Sequence, residues 1–232
     1  MKYFVNAGCS PTAYNAKGKT VLEAAFEREY ASVVEHLLSC NDPVPPNILP
    51  IALRRCLTPE IIQSLLRKGA DVHSTESNGD TVLHLAIAIA GYLESECLDL
   101  VKSFINAGCS PTACNSAGKT VLEAAVEATY TSVVEHLLSC NVPVPPHILP
   151  VALRGCCSPQ MIELLVRTAA NGAAIVSLFR WETLLWPVYA LYSGQDCQQV
   201  IEILDAARKA ETARPSVRDE TPIHVGKRPR LV

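Results

Sequence analysis

Nowhere in its 232 residues does this chain hold 18 uninterrupted apolar residues, so no segment reads as a membrane-spanning helix. Its most apolar region, Ala173 to Leu191, is broken by Arg180 and Glu182. There is no basic excess either: the formal net charge is −3, which argues against general nucleic-acid binding. The ten cysteines include no Cys-x-x-Cys pair, and no histidine stands at a supporting zinc spacing. Gly18-Lys19-Thr20 and Gly118-Lys119-Thr120 imitate the end of a phosphate-binding loop, but the first glycine of that motif would fall at Ala13 and Ala113, with no strand before it. Glu35-His36 and Glu135-His136 set an acid beside an imidazole, yet sequence neighbours on a helix point in different directions and do not pair. No constellation for catalysis remains, and neither metal nor cofactor is expected.

What the chain does have is a second copy of itself. Residues 4–67 recur at 104–167 with an offset of 100 and no gap, as FVNAGCSPTAYNAKGKTVLEAA against FINAGCSPTACNSAGKTVLEAA shows. A core built from long-range contacts does not readily gain a copy of part of itself, whereas a solenoid, in which each unit touches only its neighbours, does. The duplication also explains the cysteines, because Cys9, Cys40 and Cys56 reappear as Cys109, Cys140 and Cys156. Reduced, mostly buried thiols are the expectation, and with them a reducing intracellular location, cytoplasmic or nuclear. The opening MKYFVNAGC looks like a short secretory or lipid-attachment signal, but its recurrence at Phe104 to Cys109 makes it a repeat element.

The 100-residue block divides further. Gly-x-Thr-x-Leu stands at Gly18/Thr20/Leu22, Gly79/Thr81/Leu83 and Gly118/Thr120/Leu122, giving Thr-to-Thr spacings of 61 and 39. Two units near 30 residues fill the first interval if ILPIALRR at Ile48, repeated as ILPVALRG at Ile148, starts a unit; the second interval is one unit with a short insertion. Each unit reads as turn, helix, turn, helix, loop. Thr20 caps a short helix through its hydroxyl, and Leu22, Ala24, Ala25 and Phe26 give it an apolar surface. Val33, Val34, Leu37 and Leu38 form the stripe of a second helix, with Ser32 as the predicted cap and an end near Asn41 or Asn141. Gly69 and Gly108 are predicted to end second helices in other units.

The segment LLRKGADVHSTESNGDTVLHLAIA, from Leu65 to Ala88, resembles the ankyrin repeat, with Leu-Leu-x-x-Gly-Ala-Asp-Val at one end and Asn-Gly-x-Thr-x-Leu-His-x-Ala at the other. The resemblance extends more loosely over residues 1 to about 210 and implies an all-α solenoid of stacked helix-turn-helix units with short hairpin-like turns. The family's Thr-Pro-Leu-His is Thr20-Val21-Leu22-Glu23 and Thr120-Val121-Leu122-Glu123 in two units, which removes the usual histidine hydrogen bond; Thr81-Val82-Leu83-His84 keeps it. Before Ile48 and Ile148 there is no Gly-x-Thr turn. Pro43, Pro45 and Pro46, and their counterparts Pro143, Pro145 and Pro146, predict a stiff extended connector there instead of a hairpin.

Both ends are irregular. Met1 to Val5 aligns with Val101 to Ile105, inside a second helix, so the first repeat is truncated; either the array continues beyond Met1 or another segment covers the open face. WETLLWPVYALY and CQQVIEILDAARKA read as a degenerate last helix pair. The array is thus predicted over 1–210, and 211–232, rich in charge, as a mobile tail containing Lys227-Arg228-Pro229-Arg230, a short basic run of the kind found in nuclear-import elements.

The resemblance implies a non-catalytic protein-interaction module that binds protein partners along a concave face made by the turn tips and first helices. Those positions fall on Lys17, Lys19, Glu27 and Arg28 in one unit, on Ser77, Asn78 and Asp80 in the next complete unit, and on Lys119 and Glu127 in the later copy. The neighbouring Ala16, Ala88, Ile89, Ser116, Ala117 and Ala128 complete that face. An alternative of a different class is an adaptor or substrate-recognition part of a larger enzyme-associated protein. The chain is expected to act as a monomer or as part of a longer chain, with no nucleic acid and no membrane among its partners.

Overall fold

The computed structural model describes residues 13–40, 42–55, 58–88, 93–168 and 180–212. These fold into twelve helices in chain order: α1 Val21–Glu27, α2 Ala31–Ser39, α3 Ile48–Arg54, α4 Pro59–Arg67, α5 Val82–Ala88, α6 Glu94–Asn106, α7 Val121–Glu127, α8 Thr131–Ser139, α9 Ile148–Arg154, α10 Pro159–Thr168, α11 Trp181–Leu191 and α12 Gly194–Thr212. Odd-numbered helices pack on one another in sequence, α1 on α3, α3 on α5 and so on to α11, and even-numbered helices do the same from α2 to α12. Each odd helix also packs on the even helix that follows it. The result is a ladder of six helix pairs whose core runs the length of the stack between an inner and an outer row.

Seven-residue helices such as α1 and α7 are too short to stand alone in water, so packing must hold them. Leu22, Ala25 and Phe26 are buried on α1, and all six residues from Val121 to Val126 are buried on α7. The helix starts follow the sequence. Glu23 donates its backbone N–H to the Thr20 hydroxyl (3.2 Å), and the Glu23 carboxylate accepts the Thr20 N–H (2.6 Å). The same reciprocal box closes at Thr120 and Glu123. Pro59 begins α4, where its missing N–H has no intrahelical partner to lose.

The three Gly-x-Thr turns are hairpin fingers, each closed by one isolated bridge: Tyr14 to Thr20, Thr75 to Thr81 and Cys114 to Thr120. Residues 42–45 and 142–145 form no such bridge, as their prolines predict. The 39-residue interval is absorbed in part by α6, which has 13 residues against nine in α2 and α8.

Two details differ from expectation. Ser32 does not cap α2: the helix begins at Ala31, so Ser32 lies inside its first turn. In the second copy the equivalent Ser132 receives a cap from another unit, donating both its N–H and its hydroxyl to Glu94 at 2.7 Å. The helix ends also use unexpected residues. Asn141 (φ 57°), Gly69 and Gly108 adopt the left-handed backbone as predicted, but so do Glu29 (φ 56°), Thr129 (φ 59°) and Cys156 (φ 52°), none of them a residue the conformation favours. Asn41, like the segments 1–12, 89–92, 169–179 and 213–232, lies outside the described residues.

The last helix pair follows α9 and α10 in both rows, as the degenerate sequence suggested. Pro187 sits inside α11, and the Arg208 guanidinium lies 5.0 Å from the centroid of the Trp181 ring, joining α12 to α11.

Candidate protein-interaction face

The fingers and inner helices share one side of the ladder, and the local chemistry of each finger decides what it presents. Asn15 folds the first finger by accepting the N–H groups of Lys17 (2.8 Å) and Lys19 (3.1 Å) on its side-chain oxygen. Asn115 does the same for Ala117 and Lys119, both at 3.0 Å. With the turn residues held this way, the Lys17, Ala117 and Ser116 side chains stand exposed at the tips.

The charged residues on this face are more engaged than the sequence suggests. Lys19 and Lys119 are not free tips: each ammonium forms an ion pair with the glutamate eight residues on, Glu27 and Glu127, at the end of the inner helix. Lys19 holds the Glu27 carboxyl below its ordinary value. Asp80 accepts from the Asn78 amide (2.6 Å) and from the Asn115 amide of the next finger (2.8 Å); burial opposes ionisation, and these bonds outweigh it, leaving its carboxyl below the ordinary value. Ser77 and Asn78 are exposed, and the Asn78 carbonyl accepts the Ser116 N–H at 3.0 Å. The second and third fingers are therefore clamped together. Among the described residues, Lys17 and Arg28 form no ion pair and are exposed. Ala16 and Ala88 are also exposed, Ala128 is half-buried, and Ile89 lies outside the described residues.

Sequence reasoning missed the contacts that tie one unit to the next. Arg54, at the end of α3, grips Glu76 of the following finger through two guanidinium nitrogens. Arg55 lies 3.7 Å from Glu29 of the preceding unit. A separation of 22 residues between Arg54 and Glu76 carries no periodic signature, so no local pattern announces the pair. These residues bound a groove of about 390 Å³ lined by Glu27, Asn47, Pro50, Ile51, Arg54, Arg55, Thr75, Glu76 and Ser77, which crosses three consecutive units on the finger side.

The histidine that the family motif loses at Glu23 and Glu123 is replaced functionally in one of the two copies. In the unit that keeps it, His84 bonds the Thr81 hydroxyl (2.9 Å) through Nδ1 and the Lys119 carbonyl of the next unit (3.0 Å) through Nε2. Glu123 takes both roles with two carboxylate oxygens: one accepts from Thr120, and the other meets His147 Nε2 in the next unit. Burial raises the cost of its charge, but the Thr120 and His147 bonds prevail and the carboxyl sits below the ordinary value. In the first copy the residue aligned with His147 is Asn47.

Eight cysteines are described, all as free thiols: Cys97, Cys109 and Cys157 are buried, Cys40, Cys140 and Cys197 are half-buried, and Cys114 and Cys156 are exposed. The expectation of mostly buried thiols holds for the first three. No group of three or more His, Cys, Asp or Glu side chains placed to hold a metal occurs among the described residues. No described helix is long and apolar enough to cross a membrane.

Comparison with known proteins agrees with this architecture. Residues 49–145 match a family model described as ankyrin repeats in three copies. Over 130 residues, 51% of this chain, the sequence is 30% identical to the E3 ubiquitin-protein ligase KEG of Arabidopsis thaliana, but the match spans only 7% of that protein's length. Among solved structures, the human ASB11 ankyrin repeat domain superposes with a TM-score of 0.59 at 19% identity, covering 82% of this chain and 84% of that one. The ankyrin repeat domain of Bcl-3, a member of the IkappaB family, does so with a TM-score of 0.54 at 24% identity, covering 88% and 90%. Residues 49–145 thus match ankyrin repeats, and the described helix pairs continue the same ladder on both sides of them, in the fold of ankyrin repeat domains.

Proposed function

We propose that this chain is a non-catalytic protein-interaction module that holds a protein partner along the concave side formed by its fingers and inner helices. The observation that carries the reading is the groove across three units, because a surface of that length is already ordered before a partner arrives. Its walls mix an apolar floor, Pro50 and Ile51, with charges held in place by ion pairs. Of the nine finger-side residues named from the sequence, Lys17 and Arg28 are the ones whose charge is open to a partner, and they favour an acidic segment. Lys19, Lys119, Glu27 and Glu127 shape the face through their mutual pairs, Asn78 and Asp80 fix the spacing of the second and third fingers, and Ser77 lines the groove.

A second reading has one specific observation in its favour. The similarity to a short stretch of an E3 ubiquitin-protein ligase supports a role as the recognition part of a larger enzyme-associated protein. Both readings place the partner on the same face. The test is affinity capture with the full chain as bait, repeated with Lys17→Glu/Arg28→Glu and with Glu35→Lys/Ser64→Lys on the outer helices. The proposal expects the first variant to lose the captured protein, mainly through slower association, and the second to retain it. Retention by the first and loss by the second would place the partner on the outer row. Ubiquitin-conjugating components among the retained proteins would favour the second reading.

A further inference from the structure

The described histidines fall into two kinds. His73 is exposed, His84 bonds Thr81 through Nδ1 (2.9 Å) and the Lys119 carbonyl through Nε2 (3.0 Å), and His147 meets the Glu123 carboxylate. His36 and His136 differ: in each, Nε2 is buried and has no hydrogen-bond partner among the described residues. The two hold the same position in the two copies, on the outer helices α2 and α8.

His136 is the copy whose packing partners are described. It follows Ser132 by one helical turn and so shares its flank, which Ser132 ties to α6 by donating its N–H and hydroxyl to Glu94 (2.7 Å each). α6, α7 and α10 pack against α8. Glu94, Glu96, Cys97, Asp99 and Lys102 lie on α6, Glu123 and Glu127 on α7, and Glu163 and Arg167 on α10. Among these, Lys102 is the group whose charge acts on His136, and its sign opposes a second cation. Glu94, Glu123 and Glu127 are engaged with Ser132, His147 and Lys119. Glu135, the neighbour in sequence, is exposed and does not face the ring.

A neutral ring with its hydrogen on Nδ1 leaves only a lone pair at the buried nitrogen. Protonation puts a donor there with no acceptor and sets a charge beside Lys102, so burial and repulsion both oppose it. We propose that His136 is an acid-sensitive latch on the joint between α6 and α8: its neutral ring lets the outer row close, and its protonation loosens that joint while the second and third fingers stay clamped. Burial first, and the Lys102 ammonium second, hold the His136 imidazolium below its ordinary value of 6.5. The joint therefore has its full stability above about pH 6.5 and loses it as pH falls from there through the lower folded value. The finger clamp is of another kind, since the Ser116 N–H donates to the Asn78 carbonyl and neither group titrates. The latch lies on the outer row and does not rest on the partner reading of the finger side.

Unfolding midpoints of the whole chain would mix in His147, whose pair with Glu123 is ionic only when its ring is protonated, so the test reads single sites. Two-dimensional NMR of the full chain should show the His136 ring titrating lower than the same ring in the urea-unfolded chain; an equal or higher midpoint overturns the proposal. Amide hydrogen exchange, corrected for the intrinsic rate, then reads the joint. From about pH 7.5 to about pH 5.5, protection at Leu137 should fall at least about tenfold more than at Ser116. His136→Gln and His136→Leu should each remove that excess, and Lys102→Met should shrink it by raising the titration midpoint of the ring. An excess that survives both His136 replacements overturns the proposal. So does a low midpoint with no excess at Leu137, which would make His136 a buried ring with no hold on the joint. If neither His136 variant folds, Lys102→Met decides, and an unshifted midpoint with an unchanged excess overturns the latch.

Discussion

Gly79 and Gly118 occupy equivalent turn positions with nearly the same backbone, φ 78° and 77°, yet one is crowded and the other is not. A Cβ at Gly118 meets nothing within 4 Å; at Gly79 it would lie 2.4 Å from the Ser116 hydroxyl and 2.7 Å from the Ser116 backbone nitrogen. Gly118→Ala therefore measures the left-handed backbone alone, about 1 kcal/mol after the entropy returned by restricting the unfolded chain. Gly79→Ala adds a clash with main chain that no side-chain rotation relieves, so the second and third fingers must separate. That separation breaks the Ser116 to Asn78 bond, about 1 kcal/mol, and weakens the charge-assisted Asn115 to Asp80 bond, about 1.5 kcal/mol or more. The total expected loss is about 3.5 kcal/mol, against about 1 for the control. Urea unfolding followed by circular dichroism compares the two, with a broadened transition in Gly79→Ala if the units on either side of the gap lose cooperativity. Equal losses from the two variants would refute the claim that the fingers are coupled at this point.

Thr129 is a β-branched residue in the left-handed conformation at the end of α7 (φ 59°), so Thr129→Gly should raise stability by about 0.5–1 kcal/mol in the same denaturation assay. The Glu123 carboxyl sits below its ordinary value in the folded chain, so its contribution is present above about pH 4.5 and fades as pH falls through the lower folded value. Glu123→Gln should thus be less stable at neutral pH and show a flatter acid limb when midpoints are measured from pH 7 downward. Burial, aided by Glu94, pushes the Cys97 thiol up to about 12, and burial raises Cys109 and Cys157 to about 11, helped by Asp71 and Cys156 respectively. Alkylation of the native chain at pH 8, resolved by peptide mass, should label exposed Cys114 and Cys156 at least about a hundredfold faster than these three. Equal rates at Cys97 and Cys114 would contradict the packing of α6.

The two copies show what a sequence reveals about such a fold and what it conceals. Turn, cap and helix positions were legible because they rest on contacts within a few residues: Gly18 and Gly118 in left-handed turns, Thr20 and Thr120 as caps, and the buried stripe from Leu22 to Phe26. The contacts made by the residues predicted to recognise a partner were less legible. Their state depends on what lies eight, 22 or 35 positions away, as with Lys19 and Glu27, Arg54 and Glu76, or Asp80 and Asn115. No periodic pattern spans those separations. Ser32 and Ser132 make the point most directly: the residue is the same and so is its place in the first turn, but Ser132 is bonded to Glu94 and Ser32 to no neighbouring unit among the described residues. Local sequence thus specifies the repeat, while the neighbour specifies which of its polar groups are spent on stacking. In a ladder built this way, the groups left over at a finger or at an end are where recognition has chemistry to use.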